Sequence, residues 1–155
     1  MKQHNYSLTV NWTGNNGGGT NGYKSYERSF EVSVEGKEII NGSSDPSFNG
    51  DKTKYNPEEL LLASISSCHM LWYLHLCADE RIVVTSYMDN AEGMMTESNN
   101  GSGKFEQVIL KPVVIVANGL MIEKAILLHV KANEFCFIAN SVNFKILHQP
   151  VVLTK

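Results

Sequence analysis

The chain has 155 residues, of which 43% are hydrophobic and 19% charged, and these values predict one globular domain over residues 1–155. The formal net charge of -3 gives no electrostatic reason to expect nucleic acid or an anionic membrane as a partner. The first residues, MKQHNYSL, lack the apolar stretch of a secretory signal, so we expect a cytoplasmic protein with reduced cysteines. The cysteine spacings include no Cys-x-x-Cys pair and so indicate neither a zinc finger nor a disulfide framework.

The first third of the chain alternates apolar and polar residues, which predicts an antiparallel meander. The predicted strands are residues 6–12, 23–34 and 37–40, and the predicted loops are residues 15–22 and 41–55. Arg28 falls within the second of these strands, on the same face as Phe30 and Val32. That position is unusual for a solvated arginine and makes Arg28 a candidate functional cation.

A long helix is predicted to begin after Asn56 and to run to about Ala78. Asn56 is a favourable N-cap, Pro57 suits the first helical position, and Glu58 and Glu59 place carboxylates at the positive end of the helix dipole. From Leu60 onward the helix carries no formal charge and approaches the length of a membrane span. Serine and histidine residues interrupt it, so we interpret it as a helix buried on nearly all sides within the domain.

The remaining segments complete an α+β pattern. Two long strands joined as a hairpin are predicted at residues 82–95 and 104–116, a second helix at residues 120–135, and a final strand at residues 143–153. The order β-β-β-α-β-β-α-β predicts antiparallel sheets with a long central helix and a second helix.

Two distant cysteines are the residues that could carry chemistry. Cys68 lies in the middle of the long helix, and Cys136 lies near the end of the second apolar helix. A lone cysteine in an apolar helix is most simply a buried structural residue. If the two sulfurs meet, however, they suit a thiol peroxidase cycle, in which Cys68 becomes a sulfenic acid and Cys136 condenses with it to a disulfide. Arg28 would supply the activating cation, and Glu58 would orient its guanidinium.

Helix geometry constrains how Glu58 can contribute to such a site. Ten residues of helix separate Glu58 from Cys68 by about 15 Å and leave them on different faces. A two-fold dimer could place one chain's Glu58 near its partner's Cys68. A site shared between two copies is therefore a hypothesis that a structure of a monomer with an intact, closed site would remove.

The histidines allow a further alternative. Cys68 and His75 share a helix face, as do His129 and Cys136, so a Cys2His2 metal site can be drawn. A partly buried histidine with a satisfied ring is the commoner outcome. Cys77 has no partner at a suggestive spacing and is interpreted as a core residue.

The segment from Asn56 to Cys68, NPEELLLASISSC, resembles the motif of the OsmC/Ohr family of organic hydroperoxide reductases and osmotically induced proteins. The resemblance implies an intertwined homodimer with a peroxidatic Cys68, a resolving Cys136 and a Glu58 paired with an arginine. It also implies reduction of alkyl or fatty-acid hydroperoxides by dihydrolipoyl groups or other thiols, with no cofactor.

Two departures from the family pattern concern the site. Cys136 is followed by Phe137 where Ohr-like members often have proline, and the motif does not place the arginine, so Arg28 is chosen by elimination over Arg81. The alternative function is a non-catalytic OsmC-like protein that binds a small apolar ligand and keeps its cysteines as core residues.

Overall fold

The computed structural model describes residues 2–155. The chain forms two compact units, Met1–Leu60 and Leu61–Lys155. The expectation of a single domain over residues 1–155 therefore stays a prediction.

The first unit contains a three-stranded antiparallel sheet with the strand order β1-β2-β3. Its strands are β1 (Thr9–Trp12), β2 (Phe30–Ser33) and β3 (Ile40–Gly42). The predicted meander is confirmed, but the predicted second strand is too long, because turns occupy most of the chain between β1 and β2. The Glu27 backbone N–H donates to the Gly14 carbonyl at 2.9 Å and holds this connection close to β1. A side chain at Gly14 would collide with the Glu27 carbonyl, so glycine permits the close approach. Arg28 consequently precedes β2 instead of lying within a strand.

The long helix α1 spans Pro57–Asp79, within one residue of the predicted end. A reciprocal capping box begins it: the Glu59 backbone N–H donates to Asn56 Oδ1 at 2.8 Å, and the Asn56 N–H donates to Glu59 Oε2 at 3.1 Å. These two bonds satisfy backbone donors that the first helical turn leaves without partners. Local sequence therefore determines where α1 starts.

Only one face of α1 is buried within the chain. The buried residues recur at the spacing of a single helical stripe: Ile65, His69, Tyr73, Leu76 and Cys77. Of the most apolar 18-residue window, 28% is buried, and Leu71 on another face is 62% exposed. The expectation of a helix buried on nearly all sides is therefore wrong for a single chain. By length and composition alone α1 could cross a membrane, a property that the core helix of a globular domain shares.

The second unit contains two three-stranded sheets and a second helix. Its further elements are β4 (Val84–Asp89), β5 (Glu92–Glu97), β6 (Gly103–Leu110), β7 (Pro112–Val116), α2 (Ile122–Phe135), β8 (Lys145–His148) and β9 (Val151–Thr154). One sheet has the order β4-β7-β9 and the other β5-β6-β8. The β6–β8 and β7–β9 pairs are parallel, so both sheets are mixed instead of antiparallel throughout. The α+β class is confirmed.

Each of the three strands predicted here is divided in two, because the chain passes from one sheet to the other. Asp89, at the first crossing, accepts the backbone N–H of Lys111, at the second, with Oδ1 at 2.7 Å, and this bond links the two crossings. Pro112 directly follows Lys111 at the second crossing, and Pro150 lies at the third crossing, between β8 and β9. Neither proline can donate a ladder hydrogen bond, which favours these positions for the breaks.

The apolar interior of the second unit lies between α1, α2 and the β4-β7-β9 sheet. Tyr73 of α1, Val114 of β7 and Ala125 of α2 are each fully buried there. Ile65, Val108 and Leu110 form a second cluster near the first turns of α1. The half of α1 that carries Cys68 is thereby fixed by packing against both sheets.

We predict that Asn56→Ala lowers the free energy of unfolding by about 1 kcal/mol, because the Glu59 backbone N–H loses its acceptor. Urea denaturation followed by circular dichroism measures the change. Glu59→Gln is the matched control, since glutamine retains the reciprocal bond to the Asn56 backbone. Equal losses in the two variants would contradict the capping assignment.

Candidate active site

Cys68 and Cys136 lie together within the second unit. Cys68 is partly exposed on α1, whereas Cys136 is fully buried and directly follows α2. The Cys68 thiol influences the pKa of the Cys136 thiol, which places the two side chains near each other, and both thiols are free. The thiol peroxidase hypothesis requires these two sulfurs to meet, and the roles it gives to Cys68 and Cys136 stay a prediction.

The position of Cys136 follows from the way α2 ends. The backbone leaves the helical conformation at Cys136, whose N–H still bonds to the Asn133 carbonyl at 3.3 Å. The Ala139 N–H then donates to Cys136 Sγ at 3.3 Å, and the Asn140 N–H donates to the Cys136 carbonyl at 3.0 Å. These bonds fold the next residues around the sulfur and aim it at α1.

The two thiols differ in their electrostatic environment. Burial, and next the interaction with Cys68, raise the pKa of Cys136 to about 11, against the lowering effect of the Ala139 N–H. Cys136 is therefore a neutral thiol at neutral pH. Because Cys68 is the more accessible sulfur, an external oxidant meets it first.

Aromatic side chains surround the pair. The Trp72 ring, one turn after Cys68, lies 5.2 Å from the Phe135 ring and 5.6 Å from the Phe137 ring, measured between centroids. Phe135 and Phe137 flank Cys136 in sequence and are 44% and 66% exposed. The sulfurs therefore lie beside an apolar surface that is open within a single chain.

Arg28 is held by its own loop in the first unit. Its guanidinium donates to the Tyr26 carbonyl at 2.6 Å and to the Tyr23 carbonyl at 2.5 Å. It also lies over the rings of both tyrosines, at 4.2 Å from the Tyr26 centroid and 4.5 Å from that of Tyr23. Among the described residues Arg28 forms no ion pair with Glu58, so the expected bidentate contact is absent within one chain.

Glu58 has a buried oxygen without a partner. Its Oε2 atom is shielded from solvent and accepts no hydrogen bond from any residue between 2 and 155. A buried carboxylate oxygen in this state is costly and normally has a donor. Within residues 2–155 of one chain, Glu58 therefore does not contact the arginine that was predicted to pair with it.

A cluster of three histidines, which the sequence analysis did not identify, lies inside the second unit. His69 Nε2 of α1 and His129 Nδ1 of α2 are 3.0 Å apart, and the His148 ring of β8 lies 4.6 Å from the His69 ring. Tyr73 stacks on His129 with a centroid distance of 3.9 Å. The other members of the cluster, His129 and His148, come from elements that are distant in sequence. The sequence therefore contained one signal only, that His69 and Tyr73 share one face of α1.

These histidines are held neutral. Burial, followed by the charges of His148 and His129, lowers the pKa of His69 to about 3. Burial and then His148 lower the pKa of His129 to about 4, and burial lowers that of His148, opposed by Asp89. Three of their ring nitrogens are buried without a hydrogen-bond partner in the described part of the chain: His69 Nδ1, His129 Nε2 and His148 Nε2.

The alternative Cys2His2 metal site is not formed. His75 is exposed and faces Asp79 at 3.4 Å, whereas His129 bonds to His69. Within residues 2–155, no group of three or more His, Cys, Asp or Glu side chains is arranged to hold a metal ion. Cys77 is buried beside Tyr73, as expected for a core residue.

Comparisons with known proteins agree with this architecture. A family model described as OsmC-like protein matches residues 50–149. An OsmC-like protein of unknown function from Vibrio cholerae superimposes with a TM-score of 0.86 at 28% identity, covering 96% of this chain and 100% of that one. An organic hydroperoxide resistance protein from Elizabethkingia anophelis gives a TM-score of 0.68 at 20% identity, with 99% and 100% covered. One from Legionella pneumophila gives 0.67 at 18% identity, also with 99% and 100% covered. No curated protein matches the chain.

We predict that the protein loses stability as the pH falls from about 6.5 to 4. A histidine with a pKa of 6.5 in the unfolded chain and about 3 in the fold is protonated within this window only where its contact has opened, whether by local separation or by unfolding. This stabilisation is fully present above pH 6.5, and for His69 alone its loss reaches about 2 kcal/mol at pH 5. Urea midpoints measured at each pH test the expectation.

The His69→Gln/His129→Asn double variant is expected to flatten this pH dependence, since amide groups replace the bonded ring nitrogens without titrating. His75→Gln is the control and should leave the slope unchanged, because His75 is exposed. A slope that is identical in all three proteins would contradict the role of the cluster.

Proposed function

The chain belongs to the OsmC-like family, and we propose that it is a two-cysteine peroxidase that reduces organic hydroperoxides. The observation that carries the proposal is that Cys68, which is partly exposed, lies close enough to the buried Cys136 to influence its pKa. Solved structures of similar fold include organic hydroperoxide resistance proteins, which supports the same class of substrate.

The proposed cycle balances in three steps. The Cys68 thiolate attacks one oxygen of the hydroperoxide, the O–O bond breaks, and the products are a sulfenic acid on Cys68 and an alcohol. The Cys136 thiol condenses with the sulfenic acid, forming the disulfide and releasing water. An external dithiol then reduces the disulfide and is itself oxidised. Lipoylated proteins are candidates for this reductant.

The apolar surface beside the sulfurs favours an organic substrate over hydrogen peroxide. Trp72, Phe135 and Phe137 would contact the alkyl or aryl part of the substrate while its peroxide group meets Cys68. Aromatic and aliphatic groups gain from leaving water, whereas hydrogen peroxide has no apolar part to bury.

Arg28 and Glu58 are proposed to complete the site in a homodimer. Glu58 has a buried oxygen that lacks a donor within the chain, and a guanidinium is the donor best suited to a carboxylate. The positive charge of the same guanidinium would stabilise the attacking thiolate and the departing alkoxide. Within one helix, Glu58 and Cys68 lie on different faces, so Glu58 cannot reach Cys68 of its own chain. A second copy could bring its own Glu58 and Arg28 to these sulfurs.

We predict that about one equivalent of cumene hydroperoxide removes two thiols per chain and forms a Cys68–Cys136 disulfide, identified by peptide mass mapping. Cys68→Ser should abolish the reaction. Cys136→Ser should still consume peroxide and leave a sulfenic acid on Cys68 that dimedone traps. Cys77→Ser is the matched control and should react as the unmodified chain does.

Retention of all thiols after peroxide addition would remove the enzymatic proposal. In that case binding of the unreacted hydroperoxide or its alcohol, measured by calorimetry, would support the non-catalytic binding protein instead.

We predict a dimer in sedimentation equilibrium and a rate of peroxide consumption that depends on Arg28. Arg28→Ala is expected to slow the reaction by about 100-fold, since removal of one group that stabilises developing negative charge costs on this order. Arg28→Lys should recover part of the rate because the charge remains. An unchanged rate in Arg28→Ala would show that another group activates Cys68.

A further inference from the structure

The histidine cluster and the two cysteines belong to one contact between α1 and α2. Cys68 and His69 are consecutive residues of α1. Their respective neighbours are Cys136, which follows α2, and His129, within α2. A movement that separates the two histidines therefore acts on the same pair of elements that holds the two sulfurs together.

The His69–His129 pair can hold only one proton in its shared bond. If His69 Nε2 donates, the His129 proton lies on Nε2; if His129 Nδ1 donates, the His69 proton lies on Nδ1. In either arrangement one outer nitrogen is a donor and the other is an acceptor. An added proton must go to that acceptor, after which both outer nitrogens are donors without a partner in the described structure.

The surroundings offer a charged pair little compensation. The titratable groups that face the cluster are Tyr73 and Cys77 of α1, Tyr87 and Asp89 of β4, and His148 of β8. The tyrosines and the cysteine are neutral at acidic pH. Asp89 is the only carboxylate of the group, and it already accepts hydrogen bonds from Ser66 Oγ at 2.5 Å and from the Lys111 N–H at 2.7 Å.

We propose that protonation of the His69–His129–His148 cluster separates α1 from α2 at this contact and moves Cys136 away from Cys68, so that acid gates formation of the disulfide. Local separation admits water to the charged rings at a lower cost than global unfolding. Trp72 reports the same movement, because its ring packs on Phe135 at the end of α2. The gate depends on the proximity of the sulfurs and not on peroxidase activity.

The test uses diamide, which takes two electrons and two protons from a pair of thiols and leaves a disulfide. The rate of Cys68–Cys136 disulfide formation is compared in the unmodified chain and in His69→Gln/His129→Asn/His148→Gln, which keeps amides at the bonded nitrogens. The two proteins have the same cysteines, so the ordinary effect of pH on thiols is common to both.

The rates should agree at about pH 7.5, whereas at about pH 5 the unmodified chain should react about tenfold more slowly than the triple variant. Rates that fall in parallel over this range would overturn the gate. Because diamide needs no peroxide chemistry, failure of the peroxidase proposal would leave this comparison intact.

A second measurement leaves the three histidines unchanged. It tests the proposal even if the triple variant does not fold. The Trp72 indole resonance is followed by NMR in His75→Gln, since the exposed His75 ring lies 5.6 Å from Trp72 and its own protonation would shift the signal. The resonance should move with the same midpoint as the cluster imidazoles while the far-UV circular dichroism is unchanged. A Trp72 resonance that stays fixed until the secondary structure is lost would overturn the proposal.

Discussion

Side chains that cross between α1 and α2 determine the geometry on which the candidate site depends. His69 bonds to His129 at 3.0 Å, Tyr73 stacks on that same histidine, and the Cys68 and Cys136 thiols are neighbours. Successive residues of a helix differ by about 100° in direction, so a rotation of α1 by one residue would take Cys68 away from Cys136. The packing of the buried stripe, and not the spacing of the cysteines, therefore sets the distance between the sulfurs.

This packing includes polar groups that an apolar core would avoid. Three ring nitrogens of the cluster and the hydroxyls of Tyr73 and Tyr87 are buried without partners among the described residues. Burial also raises the pKa of both tyrosines, which therefore remain neutral hydroxyls. Apolar side chains of similar size would make a more stable interior. The same environment keeps the histidines uncharged at neutral pH, so the contact between the helices is favourable there and becomes unfavourable as protons are added.

Local signals predicted the helices well, while the sheets and the cluster depend on long-range topology. Asn56, Pro57 and the following carboxylates determine the start of α1 without reference to the rest of the chain. The division of the later strands depends on crossings between sheets, where Asp89 bonds to Lys111 from across the hairpin. His148 joins the cluster because β8 pairs in parallel with β6. The periodicity of apolar residues and the composition of a segment do not specify which strands pair. Cys68 and Cys136 were identified by residue type and motif, but their proximity required the fold.

The proposed dimer is an answer to groups that stay unmatched in a single chain. A carboxylate oxygen of Glu58 is buried without a donor, although the chain has an arginine suited to it. Arg28 instead bonds to carbonyls of its own loop, which satisfies the guanidinium but leaves its charge without a carboxylate. Apolar residues on the open faces of α1, such as Leu71 at 62% exposure, would also lose contact with water in a dimer. An intertwined pair could cover the apolar faces of α1 and bring a guanidinium to Glu58 in one interface. A monomer would keep both the exposed apolar surface and the unpaired carboxylate oxygen.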